Sequence, residues 1–515
     1  MTTTTEENQR HPAEERLLDV ALIEVLRDQP TASTPSVLDL EDRRPRRFGP
    51  LAVAAALLGL GVTTALWWNA QHGHEQRDPD SAAGSTAPAP ATPQPDLPQG
   101  PQGLPTLPPP QAVAGRSALA DLPPDALNLE VELLRADEVA GLSRFVALHR
   151  LGLRALRPTV AGARLRHKHQ SWAKADDDCL APLGQLPSLM ILRLPSELAL
   201  RPAQLAPLAQ CKMLRRLELS GENVALTDAF VAALDDIEQL MSLRLVNVGV
   251  DADALARLGA LDLQELELVD CDGVDAAAWQ SVLGLRSLRR LGLDGIGRAK
   301  LGAPASAPAP WRIGAAEFRG LSALPKLRDL GLRLPITAEE LAALPANLTK
   351  LQLASHELPG ADFAGLRRLS HLQHLDISLP RYNIRFAPRD STAQILAAGD
   401  ALAGALGGMK LRSLKLFGEV SPDLLDAIGE QPRLGYLRLV SQSLPAFDGF
   451  TKAARLSHIE LYEIRAPSSL TVDLMKPLGK LPALRLLELT TFADIDQQEL
   501  QTALGKRVRV QVKTQ

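Results

Sequence analysis

Histidines, cysteines and carboxylates are the residues of this chain best suited to chemistry, and few sit at useful spacings. His72 with His74, and His167 with His169, could each bind a metal ion. Both pairs lie in polar, charged stretches with no Cys or carboxylate partner at metal-ligand spacing, so they read as solvated side chains. Asp176-Asp177-Asp178 reads as a helix cap or a loop charge run and not as a catalytic dyad. Gly59-Leu60-Gly61 lies inside an apolar run and is no phosphate loop. Three cysteines over 515 residues make no disulfide scaffold. Cys211 takes a position otherwise filled by leucine and reads as buried; a Cys179–Cys211 bond is geometrically conceivable in an oxidising compartment. There is no nucleophile motif, no phosphate-cradling loop and no convincing metal pair. No catalytic residue, metal or cofactor is therefore expected, and a site in an inserted loop is the least favoured reading.

The dominant signal is a recurring frame of leucines. Leu180-Leu183-Leu186-Leu189-Leu192-Leu194 is followed by Leu205-Leu208-Cys211-Leu214-Leu217-Leu219 and by Val231-Leu234-Ile237-Leu240-Leu243-Leu245. The frame returns before Leu293, Leu332, Ile377, Leu461 and Leu489. Shifted copies end at Leu153, Leu268, Leu353, Leu416 and Leu439, and Val508-Val510-Val512 reads as a last strand. The closing leucine-x-leucine has period two, as in a strand with one buried face. The preceding spacing of three fits a short helix or turn packed back on that strand. One such unit cannot bury its own apolar side, so units must stack.

The chain resembles the leucine-rich-repeat family over roughly residues 127–512, with strand-to-strand spacings mostly of about 21–28 residues. Leu226-Thr227-Asp228-Ala229 and Ile336-Thr337-Ala338-Glu339-Glu340-Leu341 look like the helix entry of its ribonuclease-inhibitor-like subgroup, with Thr227 and Thr337 as caps. The resemblance implies an α/β fold: a leucine-rich-repeat solenoid with a curved parallel sheet and helices outside. The family usually places Asn or Cys three residues after the last strand leucine. Cys271 fits that slot, whereas Glu222, Val248 and Ile296 do not. An irregular, bacterial-type solenoid of about thirteen to fifteen repeats is expected. Three long intervals, Leu151–Leu192, Leu291–Leu330 and Leu375–Leu414, hold either worn repeats or insertions.

The residue between the two strand leucines points to the concave side. In order these are Arg193, Glu218, Arg244, Glu267, Gly292, Gly331, Gln352, Asp376, Lys415, Arg438, Glu460 and Glu488. The first four alternate in sign and should pair across the sheet. Arg215, Arg216, Arg289, Arg290, Arg328, Arg412 and Arg485, with Tyr436, are the candidate concave binding surface for an acidic or phosphate-bearing partner. Trp311, Tyr382 and Phe386 are candidate anchors in the insertions, or aromatics that fold back over the solenoid edge.

Ahead of the repeats, residues 48–70 form an apolar, uncharged segment long enough to cross a bilayer. Arg43, Arg44, Arg46 and Arg47 precede it and only Arg77 soon follows, which keeps the N-terminus inside. Trp68-Asn69-Ala70 is a poor cleavage triplet, which favours an anchor over a cleaved leader. Residues 71–114 are a Pro/Ala-rich disordered linker. Residues 1–47 hold one short amphipathic segment around Leu17, Leu18, Ala21, Leu22 and Val25. The repeat domain is assigned to 115–515. A net charge of −4 gives no reason to expect nucleic acid. The expected function is a single-pass, membrane-anchored recognition or scaffold protein of a bacterial envelope. Its N-terminus is cytoplasmic, its repeats are extracytoplasmic, and its partner is a protein or an anionic envelope component. The alternative is a transmembrane sensor that relays binding by the repeats to a cytosolic partner of residues 1–47.

Overall fold

A computed structural model describes residues 108–514, with breaks at 115–118, 134–135, 156–158, 161–162, 165–174, 222–223, 297–310, 335, 355–361, 380–389, 442–443 and 464–469. The apolar segment 48–70, the N-terminal segment 1–47, most of the linker and the two histidine pairs lie outside the described residues. Among the described residues no helix is long and apolar enough to cross a membrane.

The leucine frames build one sixteen-stranded parallel sheet whose spatial order is the chain order. Its strands are β1 (Gln111–Ala114), β2 (Asn128–Leu133), β3 (Arg150–Ala155), β4 (Ile191–Arg193), β5 (Arg216–Ser220), β6 (Ser242–Val246), β7 (Glu265–Val269) and β8 (Arg290–Asp294). They continue with β9 (Asp329–Arg333), β10 (Lys350–Ala354), β11 (His374–Ser378), β12 (Ser413–Phe417), β13 (Tyr436–Ser441), β14 (His458–Glu463), β15 (Leu486–Thr491) and β16 (Arg509–Thr514). Leu192 pairs with Leu217 and Leu217 with Leu243, and all three are buried. The strands turn their leucines, and in β1 and β16 Val113 and Val510, to one continuous core. The sheet begins at Gln111, four residues inside the stretch expected to be linker.

The spacing of three has a direct structural counterpart. Leu183, Leu186 and Leu189 each donate their backbone N–H to the leucine carbonyl three residues earlier, at 2.9, 3.0 and 3.3 Å. The same ladder runs through Phe363, Leu366, Leu369 and Leu372. A period of three holds successive leucines on one edge of a 3-10 turn, all facing the strands. Other units use short α-helices, such as Asp228–Asp235 and Ala276–Leu283. Thr337 is a working cap: its hydroxyl accepts from Glu340 N–H while the Glu340 carboxylate accepts from Thr337 N–H. Thr227 stands at the N-cap position without a side-chain bond.

The long intervals are insertions and not worn repeats, because the strands that bound them are directly hydrogen-bonded. Leu151 pairs with Leu192, Leu291 with Leu330, and Leu375 with Leu414. The third carries the helix Asp390–Leu406.

Beyond the strands, backbone bonds hold the turns of neighbouring units together beside the family's Asn/Cys slot. Gly221 N–H donates to Val246 O, Asn247 to Val269 O, Asp270 to Asp294 O and Gly418 to Val440 O, at 2.8–3.0 Å. Asn247 and Asp270 sit at φ 53° and 50°, and Gly295 at 66°, in one recurring left-handed turn. Val248 and Ile296 fill the expected Asn/Cys slot as buried apolar residues, while the Cys271 thiol faces Leu245 O at 3.4 Å.

Candidate functional site

Neighbouring strands lie about 4.8 Å apart, while packed helices stay about 8–10 Å apart, so the sheet takes the inside of the bend. Residues that alternate with the leucines therefore line an inner face. The register places them in columns. The central column runs through every position named from the sequence, from Arg193 to Glu488, in unbroken cross-strand contact.

In the first half of the molecule this column neutralises itself. Arg193 lies 2.9 Å from Glu218, Glu218 lies 3.8 Å from Arg244, and Arg244 lies 2.9 Å from Glu267. Burial pushes the Glu218 carboxyl up, but Arg193, Arg244, Arg216 and Arg150 outweigh it and hold the group below its ordinary value. A second column, missed in the sequence reading, runs one residue before the first strand leucine. Arg216 Nε donates to Ser242 Oγ, which donates to Glu265. Arg216 reaches Glu265 at 2.9 Å, Arg290 reaches Asp329 at 2.8 Å, and Lys350 reaches Asp329 at 3.3 Å. Its signal was present as R-L, S-L, E-L, R-L, D-L and K-L at the start of successive strands.

The candidate arginine surface divides accordingly. Arg216 and Arg290 are on the inner face but are neutralised by Glu265 and Asp329. Arg215, Arg289, Arg328, Arg412 and Arg485 are not concave: each precedes its strand, and its carbonyl accepts from the next unit along one rim of the sheet. The physical reason is parity, since a shift of one residue moves a side chain off the inner face. Arg289, Arg328, Arg412 and Arg485 are exposed on that rim and make no ion pair among the described residues.

The C-terminal third of the inner face is different, because aromatic rings enter it. Arg438 is buried, with its guanidinium 4.6 Å from the Tyr462 ring, 5.8 Å from the Phe417 ring and 3.6 Å from Glu460. Tyr436 meets His458 edge to face at 5.1 Å, and Lys415 lies over the Tyr436 ring at 5.9 Å. Burial, and then the Glu460 carboxylate, push the Tyr436 phenol far up, so it stays protonated. His458 Nε2 stands 3.6 Å from Glu460 Oε1 and 3.4 Å from Glu488 Oε1. Burial also lowers the Lys415 ammonium and raises the Asp376 carboxyl beside it, each partly opposed by the other's charge. Tyr436 was named from the sequence. Phe417, His458 and Tyr462 were not, because they become neighbours only through three strands in register.

Trp311 folds back. Its ring lies 6.4 Å from that of buried Trp279, and it packs on the core instead of serving as an exposed anchor. Tyr382 and Phe386 lie outside the described residues. All three cysteines are free, and burial pushes each thiol up to about 11, which removes their nucleophilicity at neutral pH. Asp176-Asp177-Asp178 forms a turn, with Asp177 paired to Arg201 at 3.0 Å.

No family model matches the chain, and no curated protein is significantly similar to it. Among solved structures it is similar to a leucine-rich-repeat protein of Leptospira interrogans, at 17% identity over 77% of this chain and 97% of that one, with a TM-score of 0.31. It is also similar to an internalin of Listeria monocytogenes, at 15% identity over 76% and 82% of the two chains, with a TM-score of 0.27. The repeat architecture rests on this chain's own strand register.

Proposed function

We propose that this protein is a non-enzymatic recognition module that binds another protein through the C-terminal third of its inner face. The observation that carries this reading is the contrast along the sheet. Self-neutralised ladders run along β4–β10, whereas Lys415, Tyr436, Arg438, His458 and Tyr462 combine rings and charge on β12–β14. Tyr and Arg together are the residues that anchor protein interfaces. Exposed Arg412 and Arg485 on the adjoining rim extend the basic character, which suits an acidic segment of the partner. A photocrosslinker at position 436 or 485 is expected to trap one and the same protein in intact cells. The same reagent at Glu339, on an outer helix, is expected to trap none. Equal trapping from all three positions removes this reading.

The module is proposed to stand outside the cytoplasmic membrane of a bacterial cell, tethered by residues 48–70 with residues 1–47 inside. Support comes from the uncharged apolar run, the arginines before it and the proline-rich stretch after it. The full chain should stay in the membrane pellet after alkaline carbonate extraction, with its repeats open to protease added outside the cell. Release into the supernatant, or protection of the repeats, rules the tether out.

A further inference from the structure

On the inner face of β14 and β15, His458, Glu460 and Glu488 bring one imidazole and two carboxylates into a group whose ligand atoms all lie within 4.8 Å of one another. We propose that these three residues form a binding site for a divalent transition metal of the zinc type, with a fourth coordination position open to the inner face. This goes beyond the recognition reading and does not depend on it.

The distances fit the ion. A tetrahedral zinc with ligand bonds of about 2.0–2.2 Å places its ligand atoms about 3.3–3.6 Å apart. His458 Nε2 is 3.4 Å from Glu488 Oε1 and 3.6 Å from Glu460 Oε1. Those two separations are too long for hydrogen bonds and match two edges of such a tetrahedron. His458 Nε2 is also a buried atom with no hydrogen-bond partner, which a bound metal ion would satisfy. The imidazole favours zinc-like ions over magnesium or calcium, which prefer all-oxygen shells.

Surrounding residues hold the ligands in place. Glu460 is buried and splits its two oxygens: Oε1 faces His458 while Oε2 faces Arg438 Nε at 3.6 Å. Tyr436 touches the same pair, stacking edge to face on the His458 ring and hydrogen-bonding the Glu460 carboxylate. These are the contacts that orient metal ligands in built sites. The competing description is a protonated His458 bridging two carboxylates with no metal involved.

Calorimetric titration of the full chain with zinc chloride near pH 7.5 separates the two. The chain has 10 histidines, so the reading is the difference between wild type and variants. His458→Ala and Glu488→Gln are each expected to lose one equivalent of bound zinc, or to weaken it about tenfold or more. Glu488 is half-buried and Gln keeps its shape, so this variant reports on binding even where His458→Ala disturbs the fold. Zinc is also expected to raise the melting temperature of wild type and not of Glu488→Gln. Equal zinc uptake by wild type and both variants, or no uptake by wild type, overturns the site and leaves His458 as an ion-pair residue.

Discussion

Glu218 lies within 2.9 Å of Arg193 and 3.8 Å of Arg244, and the surrounding guanidiniums hold its carboxyl below its ordinary value in the folded protein. A depressed carboxyl contributes stability above its unfolded pKa and loses it as pH falls through the folded value. Glu218→Gln should therefore destabilise the protein by about 1–3 kcal/mol at neutral pH, because two half-buried guanidiniums lose their shared partner. The deficit should shrink as pH falls from the ordinary carboxyl range through the lower folded value, below which the wild-type carboxylate is protonated as well. Urea melts of both proteins between pH 7 and pH 3 check this. A gap that stays constant with pH would assign the loss to packing. The same logic does not extend to Arg289 or Arg412, which are exposed and unpaired among the described residues; their replacement by Ala should leave stability unchanged.

Between elements, one tight constraint is where the outer segments of successive units meet. Helix Pro422–Gly429 touches the next 3-10 turn, Asp448–Lys452, at Gly429, where an added Cβ would lie 2.6 Å from Gly449 O. That obstacle is backbone and cannot rotate away. Gly429→Ala should cost about 1–3 kcal/mol by forcing the two segments apart. Gly408, whose Cβ would meet nothing within 4 Å, sits at φ 85°, so replacement there acts through backbone strain alone. Thermal melts of Gly429→Ala test the contact, and an unchanged midpoint would show that the units slide freely. At this scale the sequence was legible in part. The leucine frame located the strands from Leu151 onward and the central column, because period two is rigid and a whole run of Leu-x-Leu pairs votes for it. It did not separate rim from inner face for Arg215 and Arg289, since that distinction turns on one residue of register. Nor did it reveal the Gly221–Asn247–Asp270 turn ladder, which uses main-chain groups common to every residue type. The Arg438–Glu460–His458 group emerges only when three strands are superposed, and no single segment carries its pattern.

Across the described residues, the core is one continuous stack, and each strand of the sixteen-stranded sheet bonds to its neighbours in chain order. Stability is then a chain of nearest-neighbour terms. Leu243 sits at the middle of the first half and is almost fully buried. Leu243→Ala should cost about 2–5 kcal/mol and weaken the junctions between β5, β6 and β7 together. Hydrogen exchange should show the loss concentrated in residues near 217–268, with β12–β15 protected as before. Uniform loss over all strands would mean that the stack unfolds as one block.

The chain-order sheet also fixes how the molecule answers to pulling. When the molecule is stretched from its two ends, each strand of this sheet is held by neighbours adjacent in chain order, so tension should peel off a terminal unit first and then its neighbour. Each rupture would release roughly 25 residues, or about 80 Å of slack at full extension. A protein tethered at one end and gripped at the other would behave as a graded tension absorber, lengthening in steps while the remaining units keep their shape.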